Sequence, residues 1–277
     1  MKIRTFYWHD RVVSRFGLKA RRALGMSAER FFLVGNAGDI LADQLLRWQY
    51  DCDTINVRRG GHRLLLVGSI GHRIQSGDIA CGIGVKSHDI PKANKVKIQV
   101  VGLRGPMSYD IFKRAGHDVS EVKFLLDPGL LMRFLGDEIQ EPSKPQGSIF
   151  IPHYRERDLY RHNLQNGIRF VDIDDKPLNV ARAILSSELV FSSSLHGVIF
   201  AHALNRPCVV VKPQTGEPTL KYEDYFLSIG RDMPPMLRDI SEVNFFSCPN
   251  SPLTLTYQLS DFAFPKKELL FSARIAV

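Results

Sequence analysis

Along the chain, short apolar runs alternate with stretches of helical periodicity, and small polar turns separate them. Residues 3–8, rich in β-branched and aromatic side chains, predict a first strand. Residues 31–34 lead into Gly35-Asn36-Ala37-Gly38-Asp39 and a helix over 40–46. Buried strands are predicted at 63–70, 79–85 and 97–103, followed by a helix over 107–115. Phe124-Leu125-Leu126 then ends at Asp127-Pro128-Gly129, where Asp127 reads as closing a turn. Residues 138–147 become polar and Pro-rich, the best linker in the chain. After it the pattern restarts, with strands at 148–154 and 170–173, a helix over 178–185 and a strand–helix–strand unit over 189–211. A short helix over 222–230 and a helical tail from about 251 complete it. Strands that are apolar throughout, alternating with helices, predict an α/β protein with parallel sheets. The chain divides into two β/α/β halves, 1–140 and 148–277, with loops facing a shared cleft.

The unit at 189–211 organises the rest. An apolar strand feeds an apolar helix through Ser192-Ser193-Ser194-Leu195-His196-Gly197. Unpaired backbone N–H groups and the positive end of the helix make such a turn a site for phosphate or carboxylate. His196 stands at its mouth as an acid/base candidate, although a histidine there also serves as a cap or core residue. Asn36, Gly38 and Asp39 form a second small-residue turn, with Asn36 or Asp39 as the helix cap. Arg104 follows directly on the 97–103 strand, where a guanidinium faces the crevice at the strands' carboxyl ends and suits a carboxylate or phosphate.

Composition narrows the class. At 277 residues, 44% hydrophobic and 24% charged, this is an ordinary globular composition. No apolar run reaches the length of a membrane span, and no secretory leader is read at the N-terminus. Cys52, Cys81, Cys208 and Cys248 are scattered, which fits reduced thiols and argues against a metal site built from them. Of the net charge of +8, residues 1–30 supply six, from eight basic residues against Asp10 and Glu29. No nucleic-acid motif accompanies that charge. A basic, partly apolar stretch over 11–30 suits either a solvated loop or contact with an anionic membrane surface.

Gly35-Asn36-Ala37-Gly38-Asp39, Arg104 with Ser108, Asp127-Pro128, Ser193-Ser194-Leu195-His196-Gly197 and Lys221 with Asp224 and Gly230 together resemble the polysaccharide pyruvyl transferases. The resemblance spans most of 31–230 and implies two Rossmann-like domains in a GT-B-like arrangement, with the active site in the interdomain cleft. It implies transfer of an enolpyruvyl unit from phosphoenolpyruvate to a sugar, with closure of a pyruvate ketal and release of phosphate. Neither cofactor nor metal is implied. The acceptor would be a lipid-pyrophosphate-linked oligosaccharide, handled by a cytoplasmic enzyme peripheral on the inner membrane face. By this resemblance Arg104 binds the donor, with the Ser193, Ser194 and Leu195 turn beside His196, and Asn36, Gly38 and Asp39 face the substrates. The family's Arg-Leu-His triplet reads Ser194-Leu195-His196 here, so another cation has to replace the arginine. Arg206, Lys212 and Lys221 are the candidates. The competing expectations are a sugar-nucleotide glycosyltransferase on the same fold and a non-catalytic anion-binding subunit of a polysaccharide assembly complex.

Overall fold

The computed structural model describes residues 1–9, 12–25, 31–138 and 144–277. The elements are β1 (Lys2–Thr5), α1 (Arg15–Ala23), α2 (Ala37–Tyr50), β2 (Asp53–Asn56), β3 (Leu64–Leu65), β4 (Ile79–Cys81), β5 (Gln99–Leu103), α3 (Pro106–Arg114) and β6 (Phe124–Leu125). A 3₁₀ segment, Pro128–Glu138, then precedes β7 (Ser148–Ile151), α4 (Arg157–Tyr160), β8 (Arg169–Phe170) and α5 (Pro177–Leu185). The chain continues through β9 (Leu189–Ser192), α6 (Leu195–Ala203), β10 (Cys208–Val210), α7 (Leu220–Ser228) and α8 (Lys267–Ser272). The α/β expectation holds. A six-stranded sheet has the order β2-β1-β3-β4-β5-β6 and a four-stranded sheet the order β10-β9-β7-β8, with every named pairing parallel.

The strands are shorter than the apolar runs predict. β4 stops at Gly82 (φ 118°), and the run after β3 turns at Gly68 (φ 102°). These conformations lie outside the β region and are open mainly to glycine. The apolar residues beyond them are still buried, but they belong to loops. Edge strand β2, for which the sequence pattern predicts no element, pairs with β1 through a polar segment that carries little pattern of its own.

One hydrophobic cluster runs through both halves, joining Leu41 and Leu45 of α2, Leu131 of the 3₁₀ segment, Ile184 of α5 and Val198 of α6. Every residue of α6 is buried, His196 and His202 included, as expected of a helix with apolar side chains on all sides. Residues 139–143 of the division at 138–147 lie outside the described residues. The chain's last residues do not stay with the second sheet. Lys2 N–H donates to Val277 O at 2.7 Å, Arg4 N–H to Ile275 O at 2.9 Å, and Phe262 packs on Phe124. Isolated apolar side chains in a loop-rich tail, such as Phe262 and Ile275, give no periodicity that would tell which sheet they cover.

Candidate active site

The carboxyl ends of the strands of both sheets open onto one cavity of about 240 Å³. From the first sheet come Trp8 after β1, Ser69, His72 and Arg73 after β3, and Lys86 after β4. From the second come His153, Tyr154 and Arg155 after β7, Ser194, Leu195 and His196 after β9, and Glu217 and Lys221 after β10. Phe32, Asn36 and Asp39, at the start of α2, complete the wall. Ligands of open parallel sheets bind at such strand exits.

His196 sits in the first turn of α6, its ring against Gly38 in the first turn of α2. A Cβ on Gly38 would lie 1.9 Å from His196 Nδ1, so the absence of a side chain there is what lets the two helix starts meet. His196 Nε2 is buried without a hydrogen-bond partner. Burial, reinforced by the charges of Arg104 and Lys221, lowers its pKa to about 3, so the imidazole is neutral. Asp39, on the same wall, is pushed the other way. Burial raises its pKa to about 7, against a lowering by Lys221.

Lys221 is buried, with Nζ 2.9 Å from Glu217 Oε2, and Arg155 Nη1 lies 3.0 Å from Glu217 Oε1. Burial raises the Glu217 pKa, but the charge and hydrogen bond of Lys221 and the charge of Arg155 outweigh it and hold the carboxyl below its usual range. Burial likewise lowers the Lys221 pKa. His153, pressed against Tyr154 with ring centroids 4.5 Å apart, is neutral as well, its pKa lowered to about 3 chiefly by burial and next by Lys221.

Several sequence expectations change here. Arg104 does not line the cavity. Its guanidinium is wholly buried behind it, with Nε on Asp224 Oδ2 at 3.0 Å, Nη1 on Ser69 Oγ at 2.7 Å and Nη2 on Val85 O at 2.6 Å. It reaches the cavity through Ser69 and through its charge. Lys212 is exposed and outside the cavity, and Arg206 donates to Leu185 O, which leaves Lys221 among the three cations considered. Ser193 Oγ is committed to Glu156 at 2.6 Å and accepts from His153 N–H, so only Ser194 of the serine run faces the cavity. The glycine turn also keeps its donors to itself. The N–H groups of Leu33, Val34 and Gly35 wrap the Asp174 carboxylate at 2.8–3.0 Å, and Gly38 N–H donates to Asn36 Oδ1, the cap of α2.

A sequence model of the polysaccharide pyruvyl transferase family matches residues 36–215. The chain belongs to that family. It is also 29% identical over 209 residues, covering 70% of this chain and 71% of the other, to uncharacterized protein L143 of Acanthamoeba polyphaga mimivirus. No solved structure matches it.

The cavity has more members than the sequence indicates. His153 and Arg155 lie just past a strand that reads as ending in a polar mouth, which is a usable signal. Glu217, Arg73, Lys86 and Trp8 had none, since each sits in a loop whose direction is set by tertiary packing. Among the described residues there is no cluster of His, Cys, Asp and Glu able to hold a metal ion, and no helix is long and apolar enough to cross a membrane.

Proposed function

We propose that this pyruvyl transferase moves the enolpyruvyl group of phosphoenolpyruvate to a sugar of a polysaccharide repeat unit, closing a pyruvate ketal across two hydroxyls and releasing phosphate. One observation carries the reading: a neutral imidazole, His196, shares a cation-lined cavity with a carboxyl group, Asp39, that holds a proton near neutral pH. Two groups whose environments drive their proton affinities apart are suited to divide acid from base work.

In this reading Asp39 gives its proton to the terminal methylene carbon, and C2 becomes an oxocarbenium ion. A sugar hydroxyl adds to C2 and its proton passes to His196. The C2–O bond to phosphate breaks, phosphate leaves with the bond's electron pair, and His196 returns the proton to it. The second hydroxyl then closes the ketal and its proton restores Asp39. One hydroxyl proton thus ends on the new methyl group and the other on phosphate. Lys221 replaces the arginine of the family triplet as the donor's cation, and Arg104 contributes field from behind Ser69. Ser194, Leu195 and Asn36 shape the donor pocket, and Gly38 gives His196 its place. Catalysis proceeds without a resident cofactor.

The facing carboxyl ends of two parallel sheets support a GT-B-like reading, with the 148–277 side holding donor and the 1–140 side acceptor. A lipid-linked acceptor at the inner membrane face is supported by α1. Phe16 in it and Leu24 just past its end are 81% and 75% exposed beside Arg15 and Lys19, although residues 11 and 26–30 of the basic stretch are outside the described residues.

Calorimetric titration with phosphoenolpyruvate tests the donor. Wild type binds it and Lys221→Met loses about tenfold or more in affinity, as for a charged contact removed from a buried site. Binding of a nucleotide sugar in place of phosphoenolpyruvate would overturn the reading in favour of a glycosyltransferase.

A further inference from the structure

The cations around the cavity fall into two groups that differ in how their charge is balanced. On the second-sheet wall, Lys221 and Arg155 share the Glu217 carboxylate. On the first-sheet wall, Arg73 and Lys86 make no ion pair among the described residues. Arg73 lies over the Trp8 ring at 4.9 Å, and its Nε is buried with no hydrogen-bond partner. His72 stands with them, its Nδ1 likewise buried and unpartnered. The closeness of the three registers at His72, whose pKa is lowered to about 4 first by burial, then by Lys86 and by Arg73. A backbone hydrogen bond to Ser69 and, last, the Asp89 carboxylate act the other way without outweighing them, so His72 is neutral beside the two cations.

Two cations at a cavity wall without an ion-pair partner repel one another, and an anion relieves that repulsion while taking up the open Arg73 Nε–H. In the pyruvyl transfer reading phosphoenolpyruvate, one small anion, is held on the wall of His196, Lys221 and Ser194. We propose that Arg73 and Lys86, with the neutral His72 beside them, form a second anion subsite, which takes the diphosphate of a glycosyl diphosphate acceptor while phosphoenolpyruvate occupies the opposite wall. Trp8, held beside the subsite under the Arg73 guanidinium, offers an aromatic face to the attached sugar. The assignment of the two anions to donor and acceptor rests on the pyruvyl transfer reading, whereas the existence of the subsite does not.

Inorganic pyrophosphate is the probe. Calorimetric titrations are run with and without saturating phosphoenolpyruvate, on wild type, on Lys86→Gln and on Arg73→Gln/Lys86→Gln, with melting curves to confirm folding. The subsite predicts that pyrophosphate binds with phosphoenolpyruvate present, and that the double variant weakens pyrophosphate by about tenfold or more while leaving phosphoenolpyruvate affinity in place. Lys86 is exposed at the rim, so its single variant keeps the fold and carries the same sign with a smaller effect. Competition between the two anions for one site, or equal weakening of both in the double variant, overturns the proposal. If phosphoenolpyruvate fails to bind wild type, the donor reading falls, and the loss or retention of pyrophosphate in the double variant still decides the subsite. Repeating the titration with a nucleotide diphosphosugar and with a polyprenyl diphosphosugar in detergent then separates a soluble from a lipid-linked source. A subsite of this kind predicts that the source actually used is the one whose affinity falls in the double variant.

Discussion

Arg104 and Asp224, 120 positions apart in the chain, meet as a fully buried ion pair at 3.0 Å. Asp224 also accepts from Ser108 Oγ at 2.5 Å and from Ser108 N–H at 3.0 Å, so its carboxylate fastens α7 to the start of α3. Neighbours on α7 fasten the other side: Tyr222 Oη donates to Ser193 O, and Tyr225 Oη lies 2.9 Å from His202 Nδ1. α7 therefore holds the two strand-exit walls together while its Lys221 faces the cavity between them. Gly105 permits the approach, since a Cβ there would lie 2.1 Å from Asp224 O.

Removing one partner of such a pair strands a charge in the interior. Asp224→Ala is expected to cost about 3–5 kcal/mol of stability, measured by urea unfolding. Arg104→Met/Asp224→Leu, which removes both charges, is expected to recover much of it. An Asp224→Ala variant as stable as wild type would contradict the description of Arg104 as a buried strut.

Gly38→Ala drives a methyl group into the His196 ring, and the ring has to move. The expected result is a loss of about 1–3 kcal/mol of stability together with a fall in kcat larger than any change in KM for phosphoenolpyruvate. Equal turnover in Gly38→Ala would show that the seating of His196 against α2 is immaterial.

If Asp39 supplies the proton to carbon, activity requires its protonated form. With its pKa raised to about 7, kcat/KM is expected to hold level below that pH and fall above it toward tenfold per unit. Asp39→Asn is expected to lower the rate by about 100-fold or more and to abolish that alkaline limb. An unaltered pH profile in Asp39→Asn would remove Asp39 from the proton path.

The same two groups act on stability with opposite sign. His196 has an ordinary pKa of 6.5 in the unfolded chain and about 3 in the folded one, so its contribution is present above pH 6.5 and lost as pH falls toward 3. Asp39, raised from 3.8 to about 7, contributes stability at low pH that is lost as pH rises through 7. His196→Asn removes only the first effect. Relative to wild type the variant is expected to gain about 2 kcal/mol on going from about pH 7 to about pH 5, read from urea unfolding at both. Parallel pH dependence in the two proteins would contradict a buried neutral His196.

The fold was legible where periodicity was strong. The apolar runs before Ser192 and after Cys208, and the helix between them, appear as read, because a helix apolar on every side has to be buried. Strand ends were less legible: Gly68 and Gly82 turn apolar chain out of the sheet, and nothing in apolarity alone marks that change. At the site, His196, Ser194, Leu195, Asn36, Asp39 and Lys221 do converge on the cavity. Arg104 was legible as a crevice residue only as far as its strand exit. Its direction is set by Asp224, a partner too distant in the chain for any local pattern to announce. Lys212 and Arg206 illustrate the same limit, since a basic residue after a strand points wherever packing leaves room.

The central claim is that this cavity transfers pyruvyl groups, and the most direct measurement is phosphate release from phosphoenolpyruvate in the presence of glycosyl diphosphate acceptors, with the product checked by mass for a pyruvyl ketal. Wild type is expected to release phosphate only when acceptor is present and to yield the ketal. His196→Ala, folded by its melting curve, is expected to do neither. Ketal formation that survives in His196→Ala, or a nucleotide diphosphate released in place of phosphate by wild type, would contradict the account.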